Sequence, residues 1–139
     1  MKTWLVNTNS KDENGNPNAY KYMLRQNKAA AFYGKVGAVD KISKGDVVML
    51  YHNDNRIIAV GCVVAPFEGH DFGHAVDSIE HWVDVNWLWK ASLDSQADPT
   101  SHIDRNVIGI RMVNNTVVNI TDQVDYKVLL SEIARMQSF

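Results

Sequence analysis

Flat rings and short polar side chains gather near the ends of the predicted strands, and together such residues can bind a planar ligand. The rings are Trp4, Phe32, Tyr33, Tyr51, Trp82, Trp87 and Trp89, and the polar side chains are Thr8, Asn9, His52 and Asn53. Aromatic rings stack on the faces of a nucleobase, while amide and hydroxyl groups hydrogen-bond its edge. Aromatic residues also fill ordinary cores. For Phe32, Tyr33 and Trp82, which lie beside loops, a base-binding role and a place in an ordinary core are equally favoured.

Two groups of histidines offer other chemistry. His70 and His74 have the spacing of two zinc ligands on one helix face, and they leave open a small metal-dependent enzyme. Two glycines in that segment disfavour a helix, and the general-base glutamate of the common zinc motif is missing. His102 and Asp104 are too close in sequence to converge as a hydrolytic triad does. We therefore expect a non-enzymatic protein with no catalytic residue, no metal and no cofactor.

The segment from Lys44 to Pro66 must position these side chains, since it holds the two most apolar runs of the chain. The runs 47–51 and 57–65 are joined by the polar residues 52–56, which predicts a β-hairpin. Neither run alternates apolar with polar residues. Both faces of each strand are therefore predicted to be covered, in a small barrel or under helices, with Cys62 as a buried thiol.

The remaining elements follow from local patterns. Apolar spacing predicts a helix over 19–30 begun by Asn18, a short helical turn at Val39 and Ile42, and a last helix capped by Asp122 or Asp125. β-propensity and alternation predict strands over 3–9 and 82–89, and a second hairpin formed by 107–113 and 116–120. The whole chain, residues 1–139, is expected to be one α+β domain.

Charge is uneven along the chain although the net charge is only −2. Residues 1–60 carry nine basic against five acidic side chains, and residues 61–139 carry five against eleven. The basic side chains concentrate between Lys21 and Lys44, where they form either a phosphate-binding patch or a solvated helix face. A single cysteine excludes an internal disulfide, and no apolar run approaches a membrane span. We expect a cytoplasmic protein that does not bind membranes.

The order of several motifs resembles a known family. These motifs are Trp4-Leu5-Val6, Phe32-Tyr33-Gly34, the run from Lys44-Gly45-Asp46 to Tyr51-His52-Asn53, Ala59-Val60-Gly61 and Trp82-Val83-Asp84-Val85. Their sequence and spacing are similar to those of EVE domains of the PUA-like superfamily. The later part of the chain is also similar to the related YTH domains. The resemblance covers nearly the whole chain, and its most specific part is the hairpin at 44–53 with the glycine that follows.

This resemblance implies a fold and a function. The fold would be a PUA-like small mixed β-barrel of about five to six strands flanked by two to three helices. The function would be recognition of a flipped modified base, methylated adenine or modified cytosine, in DNA or RNA. Similar domains serve McrB-type modification-dependent restriction systems, which implies a nuclease or ATPase partner. A PUA- or ASCH-type module that binds RNA without modified-base specificity is the alternative.

The resemblance also assigns roles to residues. Base contacts would come from Thr8, Asn9, Phe32, Tyr33, Tyr51, His52, Asn53 and Trp82, and phosphate contacts from Lys21, Arg25, Lys28, Lys35 and Lys44. Phe32 takes the place of a cage tryptophan, and Trp82 would close the other side of the base. Tyr33 and Lys35 differ from the family pattern, so the identity of the base stays open.

Overall fold

The computed structural model describes residues 1–8, 19–52, 56–67, 80–93, 99–111 and 116–137, with only the backbone for 33–36. Within these ranges lie seven strands, two α-helices and a 3₁₀ helix. The strands are β1 (Thr3–Asn7), β2 (Lys28–Phe32), β3 (Val47–His52), β4 (Arg56–Ala65), β5 (Glu80–Lys90), β6 (Ile103–Asp104) and β7 (Val117–Asn119). The helices are α1 (Tyr20–Gln26), the 3₁₀ helix (Tyr33–Lys41) and α2 (Tyr126–Met136).

The strands form one mixed sheet that curls into a half-barrel. The main path of the sheet has the strand order β2-β5-β4-β3-β1-β7. The short strand β6 is not part of this path and pairs with β4. β1 runs parallel to β3, whereas the other ladders are antiparallel. The six strands of the path and the two α-helices agree with the predicted small mixed α+β architecture. No described helix is both long enough and apolar enough to span a membrane.

The predicted central hairpin is confirmed as β3 and β4. Both strands lie inside the sheet, and β3 is buried on both faces from its second residue onwards. The far end of β4 departs from the prediction, because Cys62 is half-buried and Val64 is 49% exposed. Gly61 lies where β5 crosses closely, since a Cβ there would sit 2.8 Å from Cε3 of Trp87 and 2.6 Å from the Asn86 oxygen. Only glycine fits that contact without displacement.

Asp46 joins the first residues of β1 and β3. Its carboxylate accepts hydrogen bonds from Trp4 Nε1 at 2.9 Å, from Lys2 N at 3.0 Å and from Ser43 N at 3.0 Å. Burial alone would raise the pKa of Asp46, but these donated hydrogen bonds outweigh it, so the pKa lies below its usual value. Gly45 supplies the positive φ of 89° in the turn before Asp46. Trp4 and the Gly45-Asp46 motif therefore hold the starts of β1 and β3 together.

The helix predicted over 19–30 is too long. α1 ends at Gln26, because Asn27 takes the left-handed conformation (φ 54°) and its N–H bonds the Met23 oxygen. The alanines that follow belong to β2, where Ala29 lies opposite Val83 of β5. The predicted cap, Asn18, lies outside the described residues. Small side chains on β2 let this edge strand pack closely against β5, which outweighs the helix propensity of alanine.

The second predicted hairpin is wrong, since its first strand does not form. Residues 107–109 are turns, closed by the bond from Ile110 N to the Arg105 oxygen at 3.0 Å. The Arg105 guanidinium also donates to the oxygens of Ile110 and Arg111, and Gly109 has a φ of 86°. β7 instead pairs with β1, with Val118 opposite Leu5.

The last helix agrees with its prediction. Asp125 caps it, with Oδ1 accepting a 3.2 Å hydrogen bond from Val128 N. Leu129 and Ile133 are buried, and Val128 and Met136 pack at the edge of the same core.

Candidate functional site

Thr8 and Tyr51 meet where the parallel strands β1 and β3 end. Asn7 is the register partner of Tyr51, so the residues just beyond both strands share one edge of the sheet. The Thr8 hydroxyl and the Thr8 N–H each donate to the Tyr51 carbonyl at 2.9 Å. His52 follows, with its ring 4.2 Å from the ring of Tyr20 at an angle of 49°. Three predicted base contacts are thus brought together, and all three are buried.

Two further predicted contacts lie on one face of the β2–β5 ladder. Phe32 is opposite Glu80, and Trp82 is opposite Ala30, so Phe32 and Trp82 are diagonal neighbours. Phe32 packs on Tyr22 at a ring distance of 6.1 Å and is only 4% exposed. Trp82 is half-buried. Of the predicted pair, Trp82 is therefore the more exposed ring, while Phe32 is packed in the core.

A buried charged cluster supports this face. Glu80 is fully buried and accepts an ion-pair contact from Lys28 Nζ at 2.7 Å. The Tyr22 hydroxyl donates to the same carboxylate at 2.6 and 2.9 Å. The Lys28 ammonium lies 4.6 Å from the Tyr22 ring centroid and 4.5 Å from that of Trp82. The charge of Lys28, a predicted phosphate contact, is therefore buried and paired inside the protein, which disfavours that role.

A further set of side chains, Phe67, His81 and Asp40, lies next to Trp82. Phe67 stacks on His81 with a centroid distance of 3.9 Å and meets the edge of Trp82 at 5.9 Å. His81 Nδ1 lies 2.7 Å from Oδ1 of Asp40, which fixes the orientation of the imidazole. Trp82 is thus contacted by the Lys28 ammonium over its ring and by Phe67 in a T-shaped arrangement.

The first turn of α1 connects the two groups. Tyr20 contacts His52, and Tyr22 contacts Phe32 and Glu80. Polar burial in the described residues is concentrated here. Four of the six buried polar residues in the described part of the chain lie in these two groups, namely Thr8, Lys28, His52 and Glu80, whereas Thr3 and Asp46 lie at the starts of β1 and β3. Buried polar groups are costly unless they are hydrogen-bonded, so their concentration marks a built site.

The remaining predicted site residues divide into three sets. Lys21 and Arg25 share a helix face, with Lys21 Nζ 5.9 Å from the Tyr20 ring centroid and Arg25 exposed. Lys44 is exposed and precedes β3, whereas His52 ends it, so the whole length of β3, about 17 Å, lies between them. Asn9 and Asn53 lie outside the described residues, and the side chains of Tyr33 and Lys35 are likewise not described.

The metal alternative gains no support from the part of the chain that the structure describes. In that part, no three His, Cys, Asp or Glu side chains are grouped as a metal site would need. His70 and His74 fall outside it. His81, the next histidine along the chain, is described, and its Nδ1 is hydrogen-bonded to Oδ1 of Asp40 at 2.7 Å.

Comparison with known proteins identifies the architecture. No protein-family profile matches the sequence, and no curated protein matches it. Among solved structures, the crystal structure of the Mmi1 YTH domain in complex with RNA superposes with a TM-score of 0.55 at 11% identity. The match covers 98% of this chain and 82% of that one.

The chain has the fold of a YTH domain. A second structure, an mmi1 YTH domain-containing protein with RNA, matches at a TM-score of 0.42 and 11% identity over 68% of this chain and 60% of that one. The YTH-like fold agrees with the resemblance of the later part of the sequence to YTH domains.

Proposed function

We propose that this protein is an RNA-binding module that holds an extruded base at the edge formed by the ends of β1 and β3 and by Trp82. The observation that carries the proposal is the YTH-like fold over 98% of the chain, shared with a domain solved in complex with RNA. The buried polar residues of the two groups, which α1 connects, give the proposal a location.

The chemistry of the edge suits a base. Trp82 is the partly exposed ring of this region, and base–aromatic stacking contributes about 1–3 kcal/mol. Thr8 and His52 bring polar atoms into a buried environment, where a mismatched base edge would leave a polar group unpaired at a cost of about 1–3 kcal/mol. Asn9 and Asn53 follow these residues directly in sequence. Discrimination by hydrogen bonding would therefore come from this edge, and affinity from stacking.

We further propose, from the motif resemblance to EVE domains, that the base is modified, as methylated adenine or modified cytosine. The same resemblance favours action beside a nuclease or ATPase. One observation favours the alternative, an RNA-binding module without modified-base specificity. Phe32 is buried and the Lys28 ammonium lies against Trp82, so the two-ring cage implied by the resemblance is not open.

Fluorescence anisotropy with matched oligonucleotides tests the proposal. RNA and DNA strands of one sequence would carry adenine, N6-methyladenine, cytosine or 5-methylcytosine at the central position. RNA binding is expected, with Trp82→Ala weakening it about 5- to 150-fold, the equivalent of one base–aromatic stack. Leu88→Ala, an exposed position of the same strand, is the control and should bind like the wild type.

Each result decides between the candidates. A preference for one modified base supports modified-base recognition, and equal binding of all RNA strands supports the alternative. RNA binding that is the same in Trp82→Ala and the wild type would refute the assignment of the site. No binding of any strand would refute the proposed function.

A further inference from the structure

A cleft of about 400 Å³ lies between the end of α1 and the end of β5. Its lining consists of Leu24, Arg25, Lys90, Ala91, Ser92 and Leu93. Leu24 and Ala91 are buried and form an apolar floor, while Arg25 is exposed at its margin. The wall at Ser92 is fixed, because its carbonyl accepts bonds from Thr100 N at 2.8 Å and from the Thr100 hydroxyl at 3.0 Å. Two cationic side chains thus border an apolar slot.

Within the described residues, no carboxylate pairs with the cations of this cleft, Arg25 and Lys90. Lys90 Nζ donates to the Leu24 carbonyl at 3.0 Å and to Asn27 Oδ1 at 3.2 Å. An ammonium group has three N–H donors, so one remains after these two neutral acceptors are served. The cleft therefore presents two positive charges to an incoming anion.

These charges continue a line that begins at the candidate site. Lys21 and Arg25 are four residues apart on α1, so they share a face and are separated by about 6 Å along the helix. This separation is comparable to the spacing of successive phosphates in an extended single strand. Lys21 lies beside Tyr20, whose ring contacts His52, and Lys90 lies at the other end of the helix. Three cations thus lead from the buried polar edge to the cleft.

We propose that this cleft binds the backbone of single-stranded RNA beside the end of β3, with Arg25 and Lys90 on consecutive phosphates and the apolar floor against the intervening ribose. The inference rests on the proposed function and adds Lys90 and Ser92 to its site. It also replaces the buried Lys28 and the distant Lys44 as phosphate contacts. A strand is favoured over a small anion because the cations are arranged in a line and the slot between them is apolar. Phosphate contacts of this kind set affinity and register without reading sequence.

The salt dependence of binding tests the cleft separately from the base site. The wild type, Arg25→Gln and Lys127→Gln would be titrated with oligouridine at several salt concentrations. For a single strand, each phosphate that the protein no longer neutralises reduces the slope of log K against log salt by about 0.7. Arg25→Gln should show this reduction, whereas Lys127→Gln, an equally exposed cation in the first turn of α2, should keep the wild-type slope.

Lys90→Gln provides a second variant, because the amide can still donate a hydrogen bond to the carbonyl at the end of α1. It should reduce the slope by a similar amount while its melting curve remains cooperative. Binding that is weakened by Trp82→Ala, with slopes that are unchanged in Arg25→Gln and Lys90→Gln, would overturn the cleft and leave the proposed function standing. Reduced slopes in both variants, together with equal affinity for modified and unmodified bases, would support the cleft and count only against modified-base recognition. A wild type that binds no RNA would overturn both.

Discussion

Replacing Glu80 by glutamine isolates the buried charge cluster, because glutamine keeps the shape of the side chain and removes its charge. Glu80 is fully buried, 2.7 Å from Lys28 Nζ, and its two carboxylate oxygens share the hydrogen bond donated by the Tyr22 hydroxyl. At an effective dielectric constant of 20, two charges at this distance attract by about 6 kcal/mol, and burial of both offsets part of that. Glu80→Gln leaves the Lys28 ammonium without a counter-charge, so we expect a loss of about 3–5 kcal/mol of stability. Domains of this kind have about 5–15 kcal/mol in total.

Urea unfolding followed by circular dichroism measures this loss. The comparison set is Glu80→Gln, Lys28→Met, the double variant, and Glu132→Gln as a control. Glu132 pairs with Arg135 at 2.6 Å, as closely as Glu80 pairs with Lys28, but at the surface of α2. The control should lose no more than about 1 kcal/mol. The double variant should lose about 1–3 kcal/mol less than the sum of the single losses, since the two side chains are coupled.

The outcome that refutes the reasoning is equally specific. If Glu80→Gln unfolds at the same urea concentration as Glu132→Gln and the double variant is additive, the buried pair contributes nothing. The rigid support inferred for Trp82 would then be lost as well.

Three other perturbations test the scaffold. Asp46→Asn should lower the free energy of unfolding by about 1–3 kcal/mol at pH 7. Because the folded pKa of Asp46 lies below the ordinary value of 3.8, the stability difference from the wild type should stay constant above pH 5 and disappear as the pH falls through that lower pKa. Urea titrations at each pH measure this difference. Gly61→Ala should lower the melting temperature, since its Cβ would sit 2.6 Å from a backbone oxygen of β5, and Gly37→Ala, with open space around it, is the control. Asn27→Ala should destabilise by about 1 kcal/mol and Asn27→Gly should not, because only alanine is strained at a φ of 54°; equal melting temperatures would contradict the left-handed cap.

The sequence predicted best what depends on local pattern. The β3–β4 hairpin, the strand β5 and the cap of α2 follow from apolar runs and a capping aspartate, and all three are confirmed. The prediction failed where contacts with residues outside the segment determine its structure. The alanines of β2 are good helix formers in isolation, but β5 offers them a ladder. Val107, Ile108 and Ile110 are β-branched, yet residues 107–109 form turns, and Arg105 bonds the oxygens of Ile110 and Arg111.

The candidate site was predicted in part for the same reason. Thr8, Tyr51 and His52 come together because parallel strands end at one edge, which strand order alone can suggest. The charged cluster could not be found that way, since Tyr22 and Glu80 are 58 residues apart and neither carries a motif. The alternation of Lys28, Ala30 and Phe32 along one strand face was the only available signal.

The position of β1 between β3 and β7 has a consequence for folding. A chain made from its N-terminus can pair β3, β4 and β5 as soon as residue 90 has emerged, because these strands are sequential neighbours. The other edge of β1 stays open until Trp4 can pair with Asn119. Parallel pairing between β1 and β3 also spans a long loop, which slows its formation. β1 is therefore expected to be the last strand fully paired, and in the nascent chain its apolar side chains form an unpaired edge that is prone to association.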